Sequence, residues 1–394
     1  MKNNNSIIIS MLLVLNGLSI FSMQAFVPAM PDMQNAFNTN SANIQLTLTL
    51  FMFGFAFAQV FYGPLSDKFG RRPVLLFSLI IFTLGSIMAA ISYSIELLIL
   101  SRLLQSFGAA AGVVLPPAVA RDLYDSNDST KIISWISIAA ALSALVAPFA
   151  GGYIHEQFGW RVCMIFLAIF GIVLIFINRA FFIESNPSNK LKSINYILIL
   201  NSYYELIKSK LFSSYLIAIA FVNGVFYAFF AGTAFLANQT LNISPSNFGF
   251  LIAPVILFFI PSAYFSSKLI IILKAKYLIF IGSFITFLSS LILLLSIFIS
   301  EISILNLLIV SSLIGIGNGQ VIPLATAEGI NLKYKIAGSA SAAIGTSQMF
   351  AGGIASLLFG YFYDQTAFPM AIIMTVMGAL AFFGAISIII QDKK

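Results

Sequence analysis

Long apolar stretches, each interrupted by a short polar segment, run the length of this chain. A helix needs about 20 apolar residues to cross a hydrocarbon layer, and most stretches reach that length. They do not alternate apolar and polar positions as barrel strands do. Only structures that satisfy their own backbone can span a membrane, so helices are the reading. Twelve are predicted, over 7–31, 44–65, 74–93, 97–119, 132–154, 162–183, 212–236, 247–267, 277–297, 304–326, 338–362 and 370–390. The N-terminal run from Ile7 carries no small-residue cleavage site before Pro28, so it is taken as the first retained span.

A polar stretch from Glu184 to Leu211, with Pro187 and four lysines, divides the predicted spans six and six. The expected organisation is an N-terminal bundle over 1–183, a linker over 184–211 and a C-terminal bundle over 212–394. An amphipathic piece over 194–207 is suited to lie on the membrane surface. The halves also repeat. Val114-Leu115-Pro116-Pro117-Ala118 resembles Val321-Ile322-Pro323-Leu324-Ala325 at a displacement of 207, where Gly108 meets Gly315 and Gly112 meets Gly319. Gly152-Tyr153-Ile154 resembles Gly360-Tyr361-Phe362 at a displacement of 208. A repeat of six spans restores the same topology, so the fold class is an all-α membrane protein of two six-helix bundles in parallel pseudo-repeat.

Composition agrees. Hydrophobic residues make up 60% of the 394 and charged residues 8%, too few to cover a water-soluble globule. The net charge of +7 does not point to nucleic acid, because the basic residues sit in short clusters between apolar runs. With the N-terminus in the cytoplasm, 17 of the 20 basic residues fall in or beside cytoplasmic segments, which puts both termini inside. One cysteine, Cys163, excludes an internal disulfide, and one histidine excludes a His-rich metal site. No metal and no cofactor are expected.

Four segments carry candidate chemistry. Between predicted helices 2 and 3 stands Gly63-Pro64-Leu65-Ser66-Asp67-Lys68-Phe69-Gly70-Arg71-Arg72. Gly63 is suited to close helix approach and Gly70 to a tight turn, while Asp67 can accept from an arginine or a helix N-terminus. Helix 4 carries Arg102 about 28 Å along its axis from Arg121, hence within the membrane, where a charge is costly and usually faces a cavity. The repeat has Ile309 there. Helix 5 carries Ser143, Ala147, Pro148, Gly151 and Gly152, small residues that let helices touch, with a proline that bends them. Helix 1 ends in Gln24-Ala25-Phe26-Val27-Pro28-Ala29-Met30-Pro31.

These segments resemble the signatures of the major facilitator superfamily over essentially the whole chain. The 63–72 loop matches its loop motif, helix 4 its arginine motif and helix 5 its antiporter motif. Pro28 to Pro31, with Arg121-Asp122-Leu123-Tyr124, resembles the bicyclomycin-resistance (Bcr/CflA) branch of drug exporters. The resemblance implies a secondary transporter of the bacterial inner membrane that exports a small molecule by proton antiport and acts as a monomer in the lipid bilayer. Gly63, Asp67, Gly70, Arg71 and Arg72 would form the cytoplasmic gate, with Ala147, Pro148, Gly151 and Gly152 as the antiporter motif. Family members commonly place an acid where Gln24 stands, and some drug antiporters place one where Asn16 stands. Amides cannot titrate, so the proton carrier is sought elsewhere, at Asp122 first and then at Asp32. Polar cavity candidates are Asn16, Gln24, Arg102 and Gln105 in the first half, and Asn223, Tyr227, Asn318 and Gln320 in the second. With Arg102 the clear charge in the outer half, neutral or anionic substrates are expected.

Two rivals remain. A membrane enzyme would need clustered carboxylates for a metal, and none stand inside a predicted span. A siderophore or metabolite transporter of the same fold, running as an importer, is the alternative.

Overall fold

The computed structural model describes residues 2–186, 196–299, 302–332 and 336–391. Twelve helices among them are long and apolar enough to cross a membrane. The first half holds α1 (Lys2–Gln24), α2 (Met30–Ala36), α3 (Ser41–Phe69), α4 (Arg71–Ala90), α5 (Ile95–Leu123), α6 (Ser126–Phe158) and α7 (Trp160–Phe181). The second half holds α8 (Tyr196–Lys208), α9 (Lys210–Gln239), α10 (Phe248–Leu269), α11 (Ala275–Ile299), α12 (Ile304–Leu332), α13 (Ala337–Phe362) and α14 (Phe368–Gln391).

Several predicted boundaries are corrected. The first helix is not continuous over 7–31. It stops at Gln24, and a single 3-10 turn over Val27–Ala29 leads into α2. Pro28 and Pro31 lack the N–H groups that a continuous helix would use, and each is accommodated in a first turn instead. Helix α6 begins at Ser126 rather than 132, because Asp125 caps it by accepting from Asp128 N at 2.8 Å. Gly70 (φ +97°) and Gly159 (φ +84°) each join two long helices directly, in a region L-residues rarely adopt. The predicted amphipathic piece over 194–207 corresponds to α8, with residues 194–195 outside the described residues. Leu206 of α8 is fully buried and packs with Phe212 and Tyr215. Tyr204 and Ile207 are exposed.

The chain divides into two compact units, residues 1–39 with 50–195, and residues 40–49 with 196–394. In the first unit α1 packs on α5, α6 and α7, and α4 packs on α5 and α7. In the second, α9 packs on α12, α13 and α14, and α11 packs on α12 and α14. Offsetting the element order by six spans maps one set of neighbours on the other, so the repeat seen in sequence is also a repeat of packing. The second unit takes in the start of α3. There Ser41 Oγ donates to Gly360 O (3.0 Å), and Gln45 Oε1 accepts from Ser356 Oγ (2.7 Å).

Candidate functional site

In the first unit the most constrained polar group is Arg102. Its side chain is fully buried on α5. The guanidinium carbon lies over the rings of Phe26 and Phe51, at 4.0 and 4.2 Å from their centroids. Both contacts are of the cation–π kind, which gain strength when water is excluded. Nη1 donates to Ser22 O at 3.0 Å and to Gln105 Oε1. Gln105 Nε2 donates onward to Ser86 Oγ at 2.7 Å. Arg102 Nε and Nη2 have no hydrogen-bond partner among the described residues. The fork is held on one side only, and a buried charge without a full set of partners is costly.

The amides of helix 1 are buried in the same unit. Asn16 is buried and donates from Nδ2 to Gly112 O at 3.2 Å, tying α1 to α5, while its Oδ1 accepts nothing among the described residues. Ser19 Oγ donates to Ala109 O at 2.7 Å one turn on. Gln24 is buried, with Oε1 unpartnered among the described residues. Asn16 and Arg102 thus both lie on the α1–α5 contact, about 15 Å apart along α5, with Gln105 beside Arg102 and Gln24 at the end of α1. Phe26, Phe51, Ser22 and Ser86, which complete the surroundings of Arg102, are not singled out by the sequence. No motif marks them, because α3 and α4 come together with α5 only in the fold.

The 63–72 loop is tied to the ends of two other helices in its own unit. Arg71 Nε donates to Asp122 Oδ2 at 2.8 Å and Nη1 pairs with Asp67 Oδ1 at 2.6 Å. Nη1 also donates to Ser66 Oγ. The N-terminus of α4 is held by Glu184, whose carboxylate accepts from Arg71 N (2.8 Å) and Arg72 N (3.2 Å). A carboxylate there satisfies free N–H groups and opposes the positive helix end. Arg72 Nη2 donates to Arg179 O at 2.7 Å. Asp122 therefore pairs with Arg71 across the bundle rather than with its neighbour Arg121. Gly63 corrects its expectation, since a Cβ there would meet nothing within 4 Å and no close approach depends on it. At Gly70 a Cβ would collide with the Glu184 carboxylate. In sequence, Glu184 stands out only as the start of the linker.

Helix α6 shows why small residues stand in it. A Cβ on Gly151 would overlap Ala25 O, so α6 and the end of α1 touch through backbone atoms. Ala147 and Pro148 are buried beside it, and Ala25, Ala147 and Cys163 form one apolar cluster. Gly152 is buried as well. Asp32, the second proton-carrier candidate from sequence, meets His155, with Oδ2 at 2.7 Å from Nε2.

In the second unit the candidates are spread over two helices. Asn223 Nδ2 on α9 donates to Gln348 O of α13 at 2.9 Å. Tyr227 sits among the rings of Phe226 and Phe230, and Phe230 packs in turn on Phe248. Asn318 and Gln320 lie on α12, each with a buried side-chain carbonyl oxygen unpartnered among the described residues. Among the described residues no three His, Cys, Asp or Glu side chains converge as a metal site would require.

The model of the Major Facilitator Superfamily matches residues 12–356. The chain is 25% identical to the "Multidrug resistance protein D" of Escherichia coli over 382 residues, covering 96% of this chain and 95% of that protein. It is 27% identical to a "Bicyclomycin resistance protein homolog" of Haemophilus influenzae over 380 residues, covering 94% of each. It is 29% identical over 382 residues to an uncharacterised transporter of Bacillus subtilis, covering 96% of this chain and 94% of that one. Among solved structures, a bacterial homologue of the human lysosomal transporter Spinster aligns with a TM-score of 0.77 at 13% identity, over 100% of this chain and 98% of that one. At that identity the likeness is one of fold.

Proposed function

We propose that this chain, which belongs to the major facilitator superfamily and is a multi-pass bacterial membrane transporter of small molecules rather than an enzyme, moves drug-like or metabolite solutes out of the cell and prefers neutral or anionic ones. The carrying observation is Arg102, buried against the rings of Phe26 and Phe51, with, among the described residues, no carboxylate paired to it and with Nε and Nη2 unengaged. A cationic solute brought near an unneutralised guanidinium is repelled strongly at low dielectric. A carboxylate or carbonyl oxygen finds two donors still to be satisfied.

Export is supported by the relatives named for multidrug and bicyclomycin resistance and by the backbone contact of Gly151 with Ala25 in the helix-5 motif. The bicyclomycin-resistance branch rests on the Pro28 to Pro31 and Arg121 to Tyr124 segments. Asn16, Gln24, Arg102 and Gln105 would serve the solute from the first unit, and Asn223, Tyr227, Asn318 and Gln320 from the second. Arg71, held by Asp67 and Asp122 together, would work the cytoplasmic gate with Gly70 and Arg72. The basic-residue asymmetry supports a cytoplasmic location for that loop and both termini. A second reading, a metabolite transporter of the same fold that runs inward, is favoured by the amides at Asn16 and Gln24, where a proton antiporter would carry an acid. Accumulation of a solute panel in cells with and without the protein separates them. Export lowers accumulation of neutral and anionic compounds, and import raises it.

A further inference from the structure

We propose that Asp32 and His155 together form a proton-binding site, at the end of the first unit opposite the 63–72 loop, and that this site is loaded and unloaded during transport. The role in transport rests on the export reading above, whereas the binding of a proton does not.

His155 is the only histidine in 394 residues. Imidazole is the side chain whose ordinary titration falls between pH 5 and 8. It sits in the last turn of α6, while Asp32 sits in the first turn of α2. The two meet at 2.7 Å, with the Asp32 side chain 44% exposed and that of His155 10%. Asp32 is thus the watered member of the pair. In the neutral ring Nε2–H donates to the carboxylate and the lone pair resides on Nδ1, which is buried without a partner among the described residues. Uptake of one proton there creates an imidazolium against a carboxylate, a charge-assisted pair. Loss of the proton returns a single neutral-donor bond.

Other charged residues of the first unit lie at this end of its helices. Glu156 follows on α6, Glu96 opens α5, and Arg161 on α7 is occupied by Ser92 O (2.9 Å) and by the Trp160 ring. α1 and the turn over Val27–Ala29 bring no charged group to this end. The pair is also placed to act on the buried cluster. Gly151 stands one turn before His155 on the same helix and touches the Ala25 carbonyl. Ala25 is three residues from Ser22, whose carbonyl holds Arg102. A change in the bond between α2 and α6 thus bears on the segment that positions Arg102.

The single histidine makes the test direct. Protein labelled with 15N-histidine is reconstituted in lipid nanodiscs, and the imidazole nitrogen shifts are followed from pH 5 to 8. The site predicts that the ring gains its proton within that window and that Asp32→Asn changes the pH at which it does so. A ring that keeps one charge state throughout, or a midpoint indifferent to Asp32→Asn, overturns it. A second arm uses proteoliposomes and radiolabelled chloramphenicol. His155→Gln is expected to retain exchange at equal pH on both sides while losing at least tenfold of the uptake driven by a pH gradient. Full gradient-driven uptake by His155→Gln overturns the coupling role. Absence of any chloramphenicol exchange by the wild type counts against the export reading alone, and the nitrogen titration then decides whether the site binds a proton.

Discussion

Arg71 and Asp122, 51 residues apart, meet at 2.8 Å and join the start of α4 to the end of α5. Asp122 ranks first from sequence as a proton carrier, and this geometry gives it a different occupation. Its carboxylate holds a largely buried guanidinium that also reaches Asp67 and Ser66. An acid so engaged is a structural counter-ion. Asp122→Asn should therefore weaken the first unit by about 1–2 kcal/mol and reduce transport, yet leave the pH dependence of the remaining activity unchanged. Thermal unfolding in detergent and a pH series of transport rates measure the two effects. A flattened pH profile would restore Asp122 as a proton carrier.

Gly70 should resist substitution where Gly63 does not. At Gly70 an alanine must hold φ near +97° and displace the Glu184 carboxylate. The backbone cost alone is about 1–3 kcal/mol, and the α4 N-terminus would lose its anion. Gly63→Ala meets open space and should be close to silent. Paired thermal-shift measurements on correctly inserted protein decide this. Equal destabilisation by both changes would contradict it.

Gly151→Ala should be the most damaging single-methyl change in the first unit. The added carbon would overlap Ala25 O, a backbone atom that cannot rotate away. The helices must separate, at about 1–3 kcal/mol or more, and transport should fall at least tenfold. Transport at wild-type rate by Gly151→Ala would show that the α1–α6 contact is not needed.

The long apolar runs make the twelve spans and the six-span repeat readable in sequence, since length and hydrophobicity suffice for both. The 63–72 loop is readable because its residues are contiguous. Pairings that cross the bundle are not. Nothing local tells that Glu184 caps a helix beginning 113 residues earlier or that His155 finds Asp32 across 123. Both depend on which helix ends share one face of the membrane and on the packing of α1 with α6. Pro28 and Pro31 signal the break after Gln24, but the apolar character of the run hides it. Arg102 is legible as a charge inside the membrane. Its two aromatic covers come from residues 26 and 51, one in an irregular segment and the other on α3.

Arg102→Lys should not restore what Arg102→Gln loses. A guanidinium presents a planar face to aromatic rings such as Phe26 and Phe51 and offers several N–H groups in one plane, whereas an ammonium is a compact charge. Binding of an anionic solute should weaken by about tenfold or more in both variants. Equilibrium binding to purified protein measures this, and full affinity in Arg102→Lys would contradict the planar-fork reading.

The central claim, a transporter of small neutral or anionic solutes that uses Arg102, is tested most directly by solute exchange in proteoliposomes. Matched cationic, neutral and anionic analogues of one compound are compared in wild type and in Arg102→Gln. The account predicts that the wild type carries the neutral and anionic members and excludes the cation, and that Arg102→Gln loses the anion first. Robust exchange of the cation with the anion ignored, unchanged by Arg102→Gln, would contradict it.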